Sequence, residues 1–351
     1  MTYSIGITSD FKTEAPGRLE PILAQFIDPL PDVDYRFFDA TGRDEKGVYV
    51  TPQDAADFDA VLNLSFRFTP QSFTGQDRLA VIARWGVGYD QIDVPACTAN
   101  DVLLAITVEA VRRPVAEAIL TMLLSLAKQL PAKDKLVRTG RWDLRADPNG
   151  LGLRGKVVGT IGLGNIAGEM FRLLEPFGLG RKLAADPFAT AETAAALDVE
   201  LVDLETIFRE SDFVTVNCFL SDATRGLVNA QRLAMMKPTA FLINTARGPI
   251  VDQPALLHAL QSGQIAGAGL DVFEEEPIDP NHPLVQLENV VLSPHSLAWT
   301  DELYVDNGVY ACENILSVLH GKAPKYTVNR DVTQRPSFQE KLVRLAAKST
   351  A

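Results

Sequence analysis

The chain has 351 residues, of which 46% are hydrophobic and 22% are charged, and its formal net charge at pH 7 is −12. The length suggests two domains with their own cores, and the acidic charge argues against nucleic acid or an anionic membrane as a main partner. Three widely spaced cysteines predict neither a disulfide framework nor a zinc site, and they fit a reducing cytoplasm. The N-terminal segment lacks the basic and apolar regions of a signal peptide.

The first third of the chain alternates short apolar runs with helical or loop segments. This alternation predicts an α/β domain with a parallel sheet, and nothing before residue 100 resembles a cofactor fingerprint. The turn at 84–90 follows a predicted strand, and its backbone N–H groups either hold a carboxylate or serve the geometry of the turn alone. The predicted strands in this part are 4–8, 34–38, 60–64, 80–84 and 102–107.

A long apolar helix and an extended connection come next. The helix is predicted from Pro114 to Leu130, and its apolar part is too short for a bilayer, so we expect it to be buried. Residues 131–155 are rich in proline and glycine, and a loop of this length is usually functional or an interface arm. Trp142 in this connection either anchors a partner subunit or packs within its own chain.

The segment 156–168, KVVGTIGLGNIAG, predicts a strand, a glycine turn and a helix in that order. Gly162 permits a tight turn, Gly164 lets the backbone approach a pyrophosphate, and Ala167 takes the third fingerprint position. The free N–H groups at the start of the helix attract the same anion. The segment therefore predicts a dinucleotide site.

An acid follows at the expected distance. Asp186 lies 22 residues beyond Gly164, at the end of a second short apolar run, where a carboxylate meets the adenosine ribose hydroxyls. A carboxylate there repels a 2′-phosphate, so NAD is favoured over NADP. The alternative is a turn aspartate that simply precedes Pro187.

The rest of the chain continues the α/β alternation. From Thr300 onward a helical pattern is expected to return the chain to the first domain. The predicted elements before it are strands 213–217, 240–243, 266–270 and 290–292, with a helix at 253–261.

Candidate chemical groups follow three of these strands, at the sheet edge where open α/β folds bind ligands. Arg247 follows strand 240–243, and His295 follows strand 290–292. The acids Glu274, Glu275 and Glu276 follow strand 266–270, whereas the other histidines lie in helical or loop patterns, at His258, His282 and His320.

These three residue types suit hydride transfer to a 2-keto acid. A guanidinium orients the substrate carboxylate and polarises the carbonyl, which is the role open to Arg247. An imidazole protonates the developing alkoxide, which suits His295, and one of the three glutamates holds that imidazole in the right tautomer. Taken singly, the arginine is equally well explained as a surface residue and the glutamates as a solvated acidic turn, and a lone histidine is more often structural.

Longer motifs accompany these residues: GVGYDQIDVPAC at 86–97, VAE at 115–117, GLGNIAG at 162–168, DFVTVNCFL at 212–220, MKPTAFLINTARGPIVDQPAL at 236–256, GAGLDVFEEEP at 267–277 and SPH at 293–295. With them the chain resembles the NAD-dependent D-2-hydroxyacid dehydrogenases over nearly its whole length. The resemblance implies two flavodoxin-like/Rossmann α/β domains with parallel sheets and an active site in the cleft between them. It divides the chain into a substrate-binding domain, 1–106 plus 299–351, and an NAD-binding domain, 107–298. It also implies a homodimer formed through the arm that carries Trp142.

The resemblance assigns roles residue by residue. The implied catalytic set is Arg247, Glu276 and His295, with Glu276 chosen because the family's acid directly precedes a proline. Arg247 and His295 would also contact the substrate, together with the backbone of Val87 and Gly88. Asp271 resembles the residue that meets the nicotinamide carboxamide. The full set implied for the cofactor is Gly162, Gly164, Asn165, Ile166, Asp186, Cys218, Thr224, Thr245, Ala246, Arg247, Asp271 and His295.

Three segments depart from the family pattern. Asn217-Cys218-Phe219 stands where His-x-Pro is usual, and Ser296-Leu297-Ala298-Trp299 stands where two glycines usually follow the histidine. Arg112-Arg113-Pro114 replaces small polar residues and favours a more anionic or hydroxylated substrate. The substrate is therefore predicted as a class, a small D-2-hydroxy acid or its 2-keto partner.

Two alternatives use the same fold. One is an NAD-sensing binding protein like the dehydrogenase-shaped corepressors, which the lack of a basic patch disfavours. The other is a dehydrogenase of another hydride donor, and the His–Glu pair disfavours formate more than phosphite.

Overall fold

The computed structural model describes residues 2–147 and 149–348. The chain divides into two compact units: the first runs from the N-terminus to Val111 and resumes at Thr300, and the second is Arg112–Trp299. Across the described residues no single helix is both long and apolar enough to cross a membrane, although the pair Val108–Ala127 and Leu130–Arg138, bent by 59°, meets the length and composition of a broken span.

The strands follow the predicted pattern closely. In the described part of the chain they are β1 Tyr3–Thr8, β2 Val33–Phe38, β3 Gly42–Asp44, β4 Gly47–Tyr49, β5 Ala60–Asn63, β6 Val81–Arg84, β7 Leu103–Ala105, β8 Val157–Ile161, β9 Arg181–Ala185, β10 Glu200–Leu201, β11 Phe213–Val216, β12 Phe241–Asn244, β13 Gly267–Leu270 and β14 Val290–Leu292.

The α-helices lie between and after the strands. They are α1 Phe11–Glu14, α2 Glu20–Phe26, α3 Pro52–Ala55, α4 Val94–Ala99, α5 Val108–Ala127, α6 Leu130–Arg138, α7 Asn165–Leu174, α8 Ala191–Ala196, α9 Leu204–Glu210, α10 Ala230–Leu233, α11 Gln253–Gln261, α12 Asp301–Leu319 and α13 Pro336–Lys348. Short 3₁₀ turns lie at Pro70–Phe73, Trp142–Leu144, Glu175–Phe177, Gly248–Ile250, Pro283–Gln286 and Arg330–Gln334.

The first unit contains a parallel sheet in the order β2-β1-β5-β6-β7. Its central strands are buried on both faces, as continuous apolar runs predict. One apolar cluster includes Ile5 and Leu62, with Ile315 of α12, and a second includes Val61 and Ile82. Helix α12 thus belongs to the first unit, and a small antiparallel hairpin, β3–β4, lies outside the sheet.

The second unit contains a seven-stranded parallel sheet in the order β10-β9-β8-β11-β12-β13-β14. Successive residues of β11 point to opposite faces, so Val214 and Phe213 lie in different apolar clusters. Strands β9 and β10 lie on one side of β8 in the sheet, and β11 to β14 lie on the other side. The glycine turn therefore lies at the switch point, where such sheets bind ligands.

Two sequence predictions were wrong around the long helix. Helix α5 begins at Val108 rather than Pro114, because Val108, Ala110 and Val111 are buried and their burial outweighs the hydrogen bond that Pro114 cannot donate inside the helix. It ends at Ala127 rather than Leu130, because Gln129 adopts φ +55°.

The segment 131–155 is not wholly an extended connection. Helix α6 and the turn Trp142–Leu144 occupy its first half, since proline is tolerated in the first turn of a helix, where Pro131 lies. No residue of α6 is buried, so packing against the core does not indicate this helix. Pro148, which contributed to the prediction, lies outside the described residues.

Smaller differences concern strand ends. The hairpin β3–β4 and the short β10 were not predicted, and β7 spans only part of the predicted 102–107. Strand β9 begins at Arg181 and Lys182, ahead of the short apolar run that ends at Asp186.

Candidate active site

The glycine turn after β8 has the geometry that the sequence predicts. Gly162 adopts φ +94°, and a Cβ there would lie 2.8 Å from the carbonyl oxygen of Asn217, so only glycine fits. Gly164 precedes α7, and a Cβ there would have no atom within 4 Å. Ala167 is fully buried against the sheet. The turn therefore leaves open space beside the first N–H groups of a ten-residue helix.

Asp186 follows β9 and is tied to this turn. One carboxylate oxygen accepts a hydrogen bond from the Leu163 N–H at 2.8 Å, and the other accepts one from the Phe188 N–H, also at 2.8 Å. Each oxygen keeps a lone pair for a further donor, such as a ribose hydroxyl. Asp186 thus orients the turn as well as presenting an acid beside it.

The segment Asn217-Cys218-Phe219 forms the next wall after β11. The Asn217 side-chain amide donates to Thr160 Oγ1 at 2.9 Å and to Thr215 Oγ1 at 3.1 Å. These bonds hold the Asn217 side chain at the edge of the sheet. Burial raises the pKa of the Cys218 thiol to about 11, so it stays protonated at neutral pH. Phe219 is 69% exposed. The Thr224 hydroxyl accepts a hydrogen bond from the Ser221 N–H and donates one to the Phe219 carbonyl, so both bonds lie within its own turn.

Arg247 lies in the loop after β12. The side chain of the buried Asn244 accepts a hydrogen bond from the Ala246 N–H and donates one to the Arg247 carbonyl, both at 3.0 Å. These two bonds fix the backbone from which the Arg247 side chain extends. Arg247 Nη1 donates to the Ala246 carbonyl at 2.7 Å. The hydroxyl oxygen of Thr245 is buried and has no hydrogen-bond partner among the described residues.

The loops after β12 and β13 approach each other closely at Gly248. A Cβ on Gly248 would lie 1.8 Å from the carbonyl oxygen of Phe273, so a side chain there would push the loops apart. This approach brings the charge of Arg247 near the Glu276 carboxylate.

Glu276 and His295 are in direct contact. His295 Nδ1 lies 2.8 Å from Glu276 Oε2, and the Phe273 N–H donates to Glu276 Oε1 at 2.9 Å. Burial raises the pKa of the Glu276 carboxyl, but the hydrogen bonds from His295 and Phe273, with the charges of His295 and Arg247, outweigh it and hold that pKa below its usual value. His295 adopts φ +55°, and its side chain is 44% exposed. A carboxylate on Nδ1 leaves Nε2 for a reacting group.

Asp271 supports the segment after His295. Its Oδ1 accepts from the Ser296 and Leu297 N–H groups at 3.1 and 3.2 Å, and the residue is only 4% exposed. In the part of the chain that the structure describes, Oδ2 accepts no hydrogen bond. Trp299 is half-exposed in the same segment.

In the first unit, Val87 and Gly88 lie in the turn after β6. The Gly86 N–H donates to Thr107 Oγ1 at 2.8 Å, and Gly86 adopts φ +120°. Arg84 Nε donates to the Gly88 carbonyl at 2.8 Å. Neither the Val87 nor the Gly88 N–H has an acceptor within the described residues, so both are available to an anion.

The remaining histidines lie elsewhere. His258 is exposed on α11, and His320 is exposed at the end of α12. His282 Nδ1 accepts from the Leu284 N–H at 3.2 Å. Within residues 2–147 and 149–348, no group of three or more His, Cys, Asp or Glu side chains could hold a metal ion.

Two supporting groups were missed in the sequence. Asn244 fixes the Arg247 loop, and the Phe273 N–H fixes Glu276. A buried asparagine at the end of an apolar strand is a signal that could have indicated Asn244.

The second unit fits NAD. Its glycine turn has space at Gly164, its helix N-terminus offers N–H groups, and Thr245 offers a buried hydroxyl without a partner.

Comparison with known proteins gives a consistent result. Residues 120–296 match the family model described as D-isomer specific 2-hydroxyacid dehydrogenase, NAD binding domain. A glyoxylate reductase of Thermofilum pendens is 38% identical over 270 residues, which cover 76% of this chain and 79% of that protein. A D-3-phosphoglycerate dehydrogenase of Synechocystis is 37% identical, covering 78% of this chain and 49% of that protein.

Solved structures show the same fold over nearly the full length. D-mandelate dehydrogenase of Rhodotorula graminis superposes with a TM-score of 0.80 and 27% identity, covering 93% of this chain and 98% of that one. The PH0520 protein of Pyrococcus horikoshii superposes with a TM-score of 0.81 and 26% identity, covering 97% and 99% of the two chains.

Proposed function

The chain belongs to the D-isomer specific 2-hydroxyacid dehydrogenases, and we propose that it transfers a hydride between NAD(H) and a small D-2-hydroxy acid or its 2-keto partner. Membership of this family makes it an NAD-dependent oxidoreductase. The observation that carries the finer proposal is the 2.8 Å contact of His295 with Glu276, beside a loop that holds Arg247.

Each member of this set has one role in the proposed reaction. The Arg247 guanidinium binds the substrate carboxylate and polarises the carbonyl. His295 Nε2 donates a proton to the carbonyl oxygen during reduction and takes it back during oxidation. Glu276 accepts from Nδ1–H, which orients the imidazole and stabilises its cationic form. NAD(H), when bound, supplies or accepts the hydride.

The cofactor is assigned to the second unit. We assign the pyrophosphate to the turn at Gly162 and Gly164 with the N–H groups of Asn165 and Ile166, and the adenosine ribose to Asp186. The other contacts are assigned to Cys218, Thr224, Thr245, Ala246 and Asp271. Since Asp186 repels a 2′-phosphate, NADH is expected to be preferred over NADPH.

The substrate carboxylate is also assigned to the Val87 and Gly88 N–H groups, because they have no acceptor within the described residues. The placement of the active site between the two domains stays a prediction.

Two further features complete the proposal. We assign the enzyme to the cytoplasm, since Cys97, Cys218 and Cys312 are all free thiols. We assign it a homodimeric state, because segment 130–144 exposes Leu130, Val137, Trp142 and Leu144, with exposed fractions of 58%, 59%, 61% and 41%.

The direct test is NADH oxidation by the purified protein with glyoxylate, hydroxypyruvate, pyruvate, phenylpyruvate and 3-phosphohydroxypyruvate, repeated with NADPH. Turnover of at least one keto acid with NADH preferred supports the proposal. Silence with every compound while NADH still binds would contradict it and favour the NAD-sensing or phosphite alternative.

A further inference from the structure

Helix α11 begins a few residues after Arg247 and is fixed at its start. The turn Gly248–Ile250 follows Arg247, and α11 begins at Gln253. The Asp252 side chain accepts a hydrogen bond from the Ala255 N–H at 2.9 Å, which caps the helix. Gln253 therefore has a defined place on the same short segment as Arg247.

Gln253 and Glu274 bind each other through two reciprocal hydrogen bonds. The Gln253 N–H donates to Glu274 Oε1, and the Glu274 N–H donates to Gln253 Oε1, both at 3.2 Å. The N–H of the first residue of a helix has no partner inside the helix, and the positive end of the helix dipole stabilises a carboxylate there. The two bonds join α11 to the loop after β13, and we call them the Gln253–Glu274 bridge.

This bridge holds a peptide group next to the Glu276 contact. The N–H of the peptide between Phe273 and Glu274 donates to Gln253 Oε1. The carbonyl oxygen of the same peptide packs against Gly248, where a Cβ would lie only 1.8 Å from it. The segment that leads into α11 thus holds this peptide on both sides. The adjacent Phe273 N–H donates to Glu276 Oε1 at 2.9 Å, so the direction of that bond depends on how the peptide is held.

The three consecutive acids of this loop therefore differ in their contacts. Glu276 contacts His295, and Glu274 bonds to the start of α11. Glu275 lies between them, is exposed, and makes no hydrogen bond or ion pair within the described chain. Hydrogen bonds between exposed groups contribute little to global stability, whereas a small displacement of a reacting group reduces turnover strongly. We therefore expect the effect of the bridge in kcat rather than in folding.

We propose that Gln253 and Glu274 are positioning residues, which hold the loop that carries Glu276 against the segment that carries Arg247. This inference rests on the proposed function and adds two residues that support its site. Both act through the Phe273 N–H and Glu276 rather than on the substrate. Because each bond of the bridge orients the groups that make the other, losing one bond weakens both.

A double-mutant cycle tests the bridge with a keto acid that the parent reduces. Gln253→Ala and Glu274→Ala should each lower kcat about 5- to 10-fold, with KM for the keto acid and Kd for NADH unchanged. The double variant should lose no more than the larger single loss, since both changes break the same bridge. Glu274→Gln keeps an acceptor oxygen for the Gln253 N–H and should restore most of the parent kcat. Glu275→Ala is the matched control and should keep the parent kcat.

A pH profile separates positioning from a general loosening of the loop. During reduction His295 acts in its protonated form, which Glu276 stabilises. A displaced Glu276 stabilises this form less, so the pH above which reduction falls should move to a lower value in Glu274→Ala. The same limit should stay at the parent value in Glu275→Ala.

The outcomes separate the positioning role from the proposed function. Additive losses, parent kcat in both alanine variants, an unchanged pH limit in Glu274→Ala, or an equal loss in Glu275→Ala would each overturn the positioning role while the turnover of the parent still supports the proposed function. A parent that reduces no keto acid would overturn the proposed function and this inference with it. Circular dichroism of each variant confirms folding, and Glu274→Ala, at an exposed position, provides a second reading if Gln253→Ala is unstable.

Discussion

At the residue scale, the contact between Glu276 and His295 selects one acid from three. In the sequence, Glu274, Glu275 and Glu276 are equivalent acids after one strand, and only the family resemblance favoured the last. In the fold, Glu276 accepts from the Phe273 N–H and contacts the imidazole, whereas Glu274 accepts from the Gln253 N–H. The chemistry of this site thus depends on a contact that residue type alone does not reveal.

Replacing this acid should reduce turnover. Glu276→Gln keeps the size but removes the charge that orients and stabilises the imidazolium, so kcat should fall about 100-fold. Glu275→Gln, at the neighbouring exposed position, is the matched control and should keep parent kcat. Steady-state rates with the same keto acid check both variants, and parent-like turnover in Glu276→Gln would contradict the assigned role.

The same residue predicts a pH dependence of stability. The folded-state pKa of Glu276 is lowered, so its ionised form stabilises the fold above the ordinary carboxyl pKa of 4.5. That contribution is lost as the pH falls through the lowered value. The difference in the free energy of unfolding between the parent and Glu276→Gln should therefore shrink below pH 4.5, as urea titrations from neutral to acidic pH would show.

Some residues could not be predicted because their partners are distant in sequence. Asp10 and Ser65 are 55 positions apart and share no motif, yet they meet because β1 and β5 are neighbours in the sheet. Arg247 and His295 could be predicted as site residues from the sequence, since each comes shortly after an apolar strand, at the carboxyl edge of the sheet.

At the scale of elements, the unit β8–turn–α7 was predicted almost residue for residue. A β-branched run, two glycines and a helical apolar period all indicate the same structure, and β8 and α7 flank the glycine turn in the predicted order. Helix α6 was missed because none of its residues is buried and four of its nine residues are charged. Burial is thus the signal that makes an element predictable, and exposed elements lack it.

Two alanine substitutions in this unit should have different consequences. At Gly162, φ +94° and the close Asn217 carbonyl predict strain, so Gly162→Ala should destabilise the fold by about 1–3 kcal/mol. At Gly164 there is space for a methyl group, so Gly164→Ala should fold normally but weaken NADH binding, since the methyl occupies the path of the pyrophosphate.

Thermal unfolding and NADH fluorescence titration distinguish the pair. Parent-like NADH affinity in a well-folded Gly164→Ala protein would contradict the assignment of the pyrophosphate to this turn.

At the scale of the molecule, the exposed apolar side chains of segment 130–144 predict self-association. Placing charges there with Val137→Glu and Trp142→Glu together should convert a dimer into a monomer in analytical ultracentrifugation, because charged groups disfavour an apolar interface. Val343→Glu changes another exposed apolar residue, 69% exposed on α13, and should leave the dimer intact. A parent protein that sediments as a monomer would contradict the homodimer.

The α/β class followed from alternating strands and helices, two domains were expected from the length of the chain, and the family followed from motifs spread along the whole chain. The substrate did not follow from either, because motifs shared across the family do not distinguish one 2-keto acid from another.

The role of His295 as the acid and base is tested by comparing the parent with His295→Asn in NADH-dependent keto-acid reduction. Asparagine tolerates the positive φ of this position, so the loop should keep its shape. We expect the parent to reduce a keto acid, and the variant to bind NADH but turn over about 100- to 10,000-fold more slowly. Turnover of the variant within a few-fold of the parent would contradict the role of His295 as the acid and base.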